Sequence, residues 1–108
     1  MTQHFDLVMM LALIHHLAIS ASIPLRDIAR FAARCTRDWL IVEFIDVADP
    51  QLLSLCAQRQ REPAHFGIDL QRAAFAEAGF LLESQVELAP AHRVLALLRK
   101  GVRPISYE

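Results

Sequence analysis

Along this chain, apolar and polar positions fall into blocks whose period changes from one block to the next. Residues 5–13 are apolar except for Asp6 and carry no polar stripe. Their length and the turn-like exit after them predict a strand of a parallel sheet covered on both faces. In SIPLRDIARFAARC (22–35), Leu25, Ile28, Ala29 and Ala32 recur at helical spacing, while Arg26, Asp27, Arg30 and Arg34 take the wet side. Ser22 is expected to cap this helix, with Pro24 in its first turn. WLIVEFI (39–45) is β-branched and aromatic, apolar but for Glu43, and reads as a second strand.

The second half continues the alternation. Asp49-Pro50 opens a helix through Leu52, Leu53 and Cys56, and Pro63 lies beyond its end. IDLQRAAFAEAGF (68–80) is a third helix, with Asp69 as its expected cap and Gly79 as a left-handed stop. FLLESQVEL (80–88) and HRVLALLRK (92–100) are strands separated by Ala89-Pro90-Ala91, an antiparallel pair, and GVRPISYE is expected to be a frayed tail. The order strand, helix, strand, helix, helix, strand, strand defines an α/β layered sheet. Its parallel strands are joined by a right-handed crossover, and an antiparallel pair closes it. Two parallel strands, apolar on both faces, make a poor sheet, so something that belongs beside residues 5–13 is expected to be missing.

Composition narrows the function classes. With 108 residues the chain is one domain or part of one, and a net charge of −1 lacks the basic surplus that nucleic acid demands. An apolar content of 55% is high for so small a domain, which points to strands buried on both faces or to surface meant for a partner. A membrane span needs about 20 apolar residues, and the run at Leu7–Ile14 stops at His15 and His16. Asp6 stands where a signal peptide would carry Lys or Arg, and no small-residue cleavage site follows. Cys35 and Cys56, in no CxxC spacing, read as buried thiols of a reducing compartment. The expectation is a cytoplasmic protein with no membrane and no nucleic-acid partner.

Four motifs, in this order and spacing, resemble the C-terminal half of a class I S-adenosylmethionine-dependent methyltransferase. They are FDLV at Phe5–Val8, the HHL turn at His15–Leu17, VEF at Val42–Phe44 and EAGF at Glu77–Phe80, with HRVLALLRK as the antiparallel seventh strand. EFIDVADP followed by HRVLALLRK looks most like a bacterial small-molecule branch related to nodulation-type methyltransferases. The resemblance covers about residues 4–100. It implies half of a Rossmann-like fold: residues 1–108 as a partial methyltransferase domain running from the fourth strand to the last, with a tail from about 101. The family's glycine-rich cofactor loop is a departure, because Gly67, Gly79 and Gly101 form no G-x-G and only MTQH precedes FDLV. The half that holds most of the cofactor is therefore expected to be absent, and the chain to be a fragment or one piece of a split protein.

The resemblance also implies a site. It places Met10, Leu11 and Ala12 along the methionine part of S-adenosyl-L-methionine, mainly through backbone atoms. It places His15 and His16 at the mouth of the pocket for a small-molecule methyl acceptor. Ligands in open α/β sheets bind beyond the carboxyl ends of the strands, where this pair lies. A neutral imidazole there could take a proton from an acceptor hydroxyl, or one histidine could be a buried brace of the turn. Metal is the weaker rival: adjacent histidines on an extended segment point to opposite faces, and Cys35, Cys56, His65 and His92 show no ligand spacing. Glu43 is either a polar wall of the cleft or the partner of an arginine at a strand end. Asp6, Asp46 and Asp49 read as strand-start and capping residues, and RQRE (59–62) as a solvated helix face.

A second reading, from another class, is a non-catalytic α/β interaction module that pairs through its open sheet edge. Either way, the unpaired edge of residues 5–13 predicts a homo-oligomer or a missing N-terminal half as partner.

Overall fold

The computed structural model describes residues 5–88 and 92–101. The MTQH leader, the Ala89-Pro90-Ala91 connection and the tail after Gly101 lie outside those residues.

Strand β1 (Phe5–Met10) leads into a turn and a short π-helical segment (His16–Ser20), then helix α1 (Leu25–Cys35) and strand β2 (Thr36–Ile45). Helix α2 (Pro50–Arg59), a 3-10 turn (Pro63–Phe66), helix α3 (Ile68–Glu77) and strands β3 (Phe80–Leu88) and β4 (Arg93–Lys100) complete the chain. The four strands form one mixed sheet in the order β1-β2-β4-β3. β1 and β2 run parallel, and β4 is antiparallel to both β2 and β3. The class is α/β, with the parallel pair and the antiparallel closing pair that the sequence predicts. The last strand in sequence lies inside the sheet, between β2 and β3.

Local chemistry explains most element boundaries. Asp49 is the N-cap of α2, its Oδ1 accepting from the N–H groups of Gln51 (2.9 Å) and Leu52 (3.2 Å), with Pro50 in the first turn. Gly79 follows α3 with φ of +100°, the stop expected of it. The C-terminus of α1 is closed from a distance: Lys100 Nζ donates to the carbonyls of Ala33 (2.7 Å) and Thr36 (3.1 Å), a cation at the negative end of the helix.

Several local expectations are corrected. β1 stops at Met10 rather than at residue 13, because the backbone turns through Ala12 at φ of 53°. Ser22 does not cap α1. It sits at φ of 55°, its hydroxyl accepts from Arg61, and Pro24 is the N-cap residue instead. Gly67, not Asp69, is the N-cap residue of α3. β2 begins at Thr36, three residues before the predicted start. The run 59–62 is not one helix face: α2 ends at Arg59, Gln60 is left-handed, and Arg61 lies over the Phe66 ring at 5.1 Å.

The core sits on one side of the sheet. Leu40, Val42 and Phe44 of β2 and Val94, Ala96 and Leu98 of β4 pack with Ile28 and Ala32 of α1, Leu52 and Cys56 of α2, and Ala74 and Phe75 of α3. A fully buried Gln71 ties α3 to the sheet. Its Nε2 donates to the carbonyls of Ile45 and Phe66, both at 2.7 Å, and its Oε1 accepts from the Ile45 N–H at 3.1 Å.

The opposite side of the sheet carries no helix among the described residues. Phe5, Leu7 and Met9 stand exposed there, so β1 is not covered on both faces as its composition predicts. Register carries this row across the sheet. Leu7 pairs with Trp39 and Met9 with Ile41, Trp39 and Ile41 pair in turn with Arg99 and Leu97, and Leu95 pairs with Val86.

Candidate functional site

The carboxyl ends of β1 and β2 meet the start of β4 at a group of polar side chains. Arg93, the first residue of β4, reaches three of them. Its Nε donates to Asp49 Oδ2 (2.9 Å), its Nη1 to Glu43 Oε1 (3.2 Å) and its Nη2 to Gln51 Oε1 (2.8 Å). The same Glu43 oxygen accepts from the Ala12 N–H at 2.7 Å, so the carboxylate holds the turn after β1 in its left-handed conformation. Glu43 thus takes the paired role that sequence left open for it, and Arg93 is its partner. Asp49 combines its capping role with this ion pair.

Electrostatics follow from the geometry. The hydrogen bond to Asp49 raises the already high pKa of Arg93, and the charges of Asp49 and Glu43 add to it against the cost of burial. Burial alone would push the Asp49 carboxyl up. The Arg93 hydrogen bond and charge, with the N–H groups of Leu52 and Gln51, outweigh it and hold the carboxyl below its ordinary value. Two carboxylates and one guanidinium leave the group with a net negative charge. Beside it opens a cleft of about 580 Å³, lined by Glu43, Asp49, Pro50, Gln51, Leu88, His92 and Arg93. Such a wall favours neutral or cationic ligands that donate hydrogen bonds.

The His pair lies behind this group. Because the chain is already helical at His15, the two rings do not diverge as they would on an extended segment. Their centroids are 4.2 Å apart with planes inclined by 38°. His15 is 1% exposed and neither ring nitrogen has a hydrogen-bond partner, whereas His16 is exposed. Burial lowers the His15 pKa from its ordinary value, and the nearby His16 and Arg93 lower it further. The Gln51 side chain and Asp49 oppose the shift. His15 is therefore a neutral imidazole packed inside the turn, and His16 is the member of the pair that solvent and ligands can reach.

Of the residues expected along a cofactor, Met10 turns its side chain into the core, while Leu11 and Ala12 lie on the exposed turn. The Ala12 N–H is already taken by Glu43. Sequence reasoning missed Arg93 and Gln51. Their one signal was that Glu43 needs a cation, and no pattern of spacing says which of 11 Lys and Arg residues supplies it. Among the described residues no three His, Cys, Asp or Glu side chains group as metal ligands. Cys35 and Cys56 are separate free thiols, Cys35 half-buried and Cys56 buried.

No protein-family model and no curated protein matches this chain. Among solved structures it is similar to a Bordetella parapertussis protein described as a possible exported protein, with a TM-score of 0.60 and 18% identity. The similarity covers 94% of this chain and 40% of that one, so this chain spans less than half the length of the protein it matches. At this identity the likeness establishes the fold alone: an α/β unit that in the other protein is part of a larger chain. No helix among the described residues is long and apolar enough to cross a membrane.

Proposed function

We propose that this chain is the acceptor-side, C-terminal half of an S-adenosylmethionine-dependent methyltransferase domain that acts in the cytoplasm on a small molecule. The observation that carries this reading is the strand order β1-β2-β4-β3, with the last strand inserted antiparallel and every helix on one face. A doubly wound sheet cut at its middle would leave this remainder: a parallel pair with one free edge, one helical layer, and a cleft at the carboxyl ends. The four motifs of the resemblance lie on β1, on the turn after it, on β2 and from the end of α3 to the start of β3, an order that supports the reading.

The cofactor would supply an electrophilic methyl group, transferred in line to the acceptor. The residues present fit only its methionine end. Exposed Leu11 is the residue placed to meet it, and Glu43 fixes the shape of the turn through Ala12. His16 at the rim is the imidazole available to receive an acceptor proton, while His15 supports the turn from below. None of the three glycines follows a parallel strand to cradle a nucleotide: Gly67 precedes α3, Gly79 precedes β3 and Gly101 follows β4. Orientation and exclusion of water are then the main contributions of this half.

Titration calorimetry with S-adenosylmethionine tests the reading. The chain alone is expected to bind weakly, and the chain joined to the product of the coding sequence upstream is expected to bind tightly. Tight one-to-one binding by the chain alone, or none by the joined protein, overturns it. The second reading, a non-catalytic interaction module, is favoured by the uncovered apolar face of the sheet. A joined protein that binds no cofactor would leave it standing.

A further inference from the structure

We propose that a second copy of this chain covers the bare face of the sheet, so that the protein as it stands is a two-fold, face-to-face dimer. This pairing concerns the chain by itself, since a joined half with its own helical layer would take the same face. Met9 is 56% exposed, Phe5 54% and Val86 60%, and half-exposed Leu7 and Leu81 extend the row at either side. Trp39, Ile41, Leu95 and Leu97 are partly exposed between them and join the two edges into one surface. Five of these nine side chains are about half exposed, so the surface amounts to several hundred Å². That lies in the roughly 300–600 Å² range of the largest patch on an ordinary monomer, which is often a site of contact. It is also a large part of the roughly 800 Å² per partner of a standard interface.

The layout is that of an interface. Ile41, Leu95 and Leu97 make the middle aliphatic, and Arg99 stands in the row between Trp39 and Leu81. At one end Arg99 lies over the Trp39 ring at 5.2 Å, a pair of residue types that often anchor contacts between proteins. At the other end Glu43 is hydrogen-bonded to Arg93, which it shares with Asp49, and to the Ala12 N–H, so its carboxylate is not left without partners. Two sheet faces stacked about 10 Å apart interdigitate side chains as in a sandwich. Pairing through an edge would satisfy one strand and leave the apolar row wet. The β3 edge is also broken by a bulge between Leu82 and Ser84 and bears Glu83 and Glu87. A face shared with a second copy removes the whole patch at once.

Sedimentation equilibrium of the chain, with two lysine variants and one control, tests the pairing. Met9→Lys and Val86→Lys lie on opposite edge strands of the same face, and both are expected to convert the dimer to a monomer with an unchanged far-ultraviolet circular dichroism spectrum. Leu53→Lys, at an exposed leucine of α2 away from that face, is expected to stay dimeric. A monomeric parent chain overturns the proposal. So does loss of the dimer in only one of the two face variants, which marks an edge contact, or in the Leu53 variant. Should a lysine variant unfold, hydroxyl-radical footprinting of the parent chain decides. Met9 and Val86 must become protected as concentration rises while Leu53 stays labelled, and equal labelling at all concentrations overturns the pairing.

Discussion

Arg93 and Asp49 are 44 residues apart in sequence, yet the Nε of one lies 2.9 Å from the Oδ2 of the other. Through this contact a single carboxylate caps α2 and also pins the first residue of β4 to the helix start. Glu43 extends the tie to the turn after β1. Three segments distant in sequence are thus held at one cleft by one guanidinium.

Removing that guanidinium strands two largely buried carboxylates. Arg93→Ala is expected to lower the unfolding free energy by about 3 kcal/mol, measured by urea denaturation at neutral pH. Arg93→Lys is expected to recover only part of it, because a point charge cannot span three acceptors. The Asp49 carboxyl lies below its ordinary value in the fold, so its contribution is full above the unfolded pKa of about 3.9 and is lost as pH falls through the lower folded value. Asp49→Asn is expected to flatten the acid limb of the stability profile.

His15 acts in the same sense, in a window nearer neutrality. Its pKa is lowered in the fold, so the unfolded chain binds the extra proton first. Stability is full above the unfolded value of about 6.5 and declines as pH falls below it, levelling off under the folded value. His15→Leu should remove this decline and should be close to neutral at pH above 7, since both ring nitrogens already lack partners. His16→Ala, at an exposed position, is expected to leave stability within about 0.5 kcal/mol. Thermal melts of the three proteins across pH separate the two roles.

Gln71 satisfies one N–H and two carbonyls at the join of α3, the 3-10 turn and β2. Gln71→Leu keeps the volume but leaves those groups buried and unpaired. A loss of about 2–4 kcal/mol is expected, with hydrogen exchange at the Ile45 amide accelerating in step.

Gly79 tests backbone strain without packing. A Cβ there would meet nothing within 4 Å, yet φ is +100°. Gly79→Ala is expected to cost about 1–2 kcal/mol from conformation alone. A melt indistinguishable from the parent chain would count against the left-handed stop.

Periodicity made the element order legible. Ile28, Ala29 and Ala32 at helical spacing, the apolar run of β2 and the Asp49-Pro50 start were each readable because local chemistry and burial agree there. Caps were less legible: Ser22 and Asp69 have capping side chains, but their backbones are placed by the turn at Ser22 and by the Gly67 start of α3.

The sequence by itself determined which segments are helices and strands and that β1 and β2 are parallel, since a covalent crossover through one helix permits little else. It also singled out Glu43, alone in an apolar strand, as either a wall of the cleft or the partner of an arginine. Tertiary structure decided that the partner is Arg93, that β4 inserts beside β2, and that Phe5, Leu7 and Met9 are left in water. It also brought two adjacent histidine rings together at a tilt, one buried and one exposed. Each of these outcomes depends on which distant segment arrives alongside, and alternation along one strand carries no information about what will cover it.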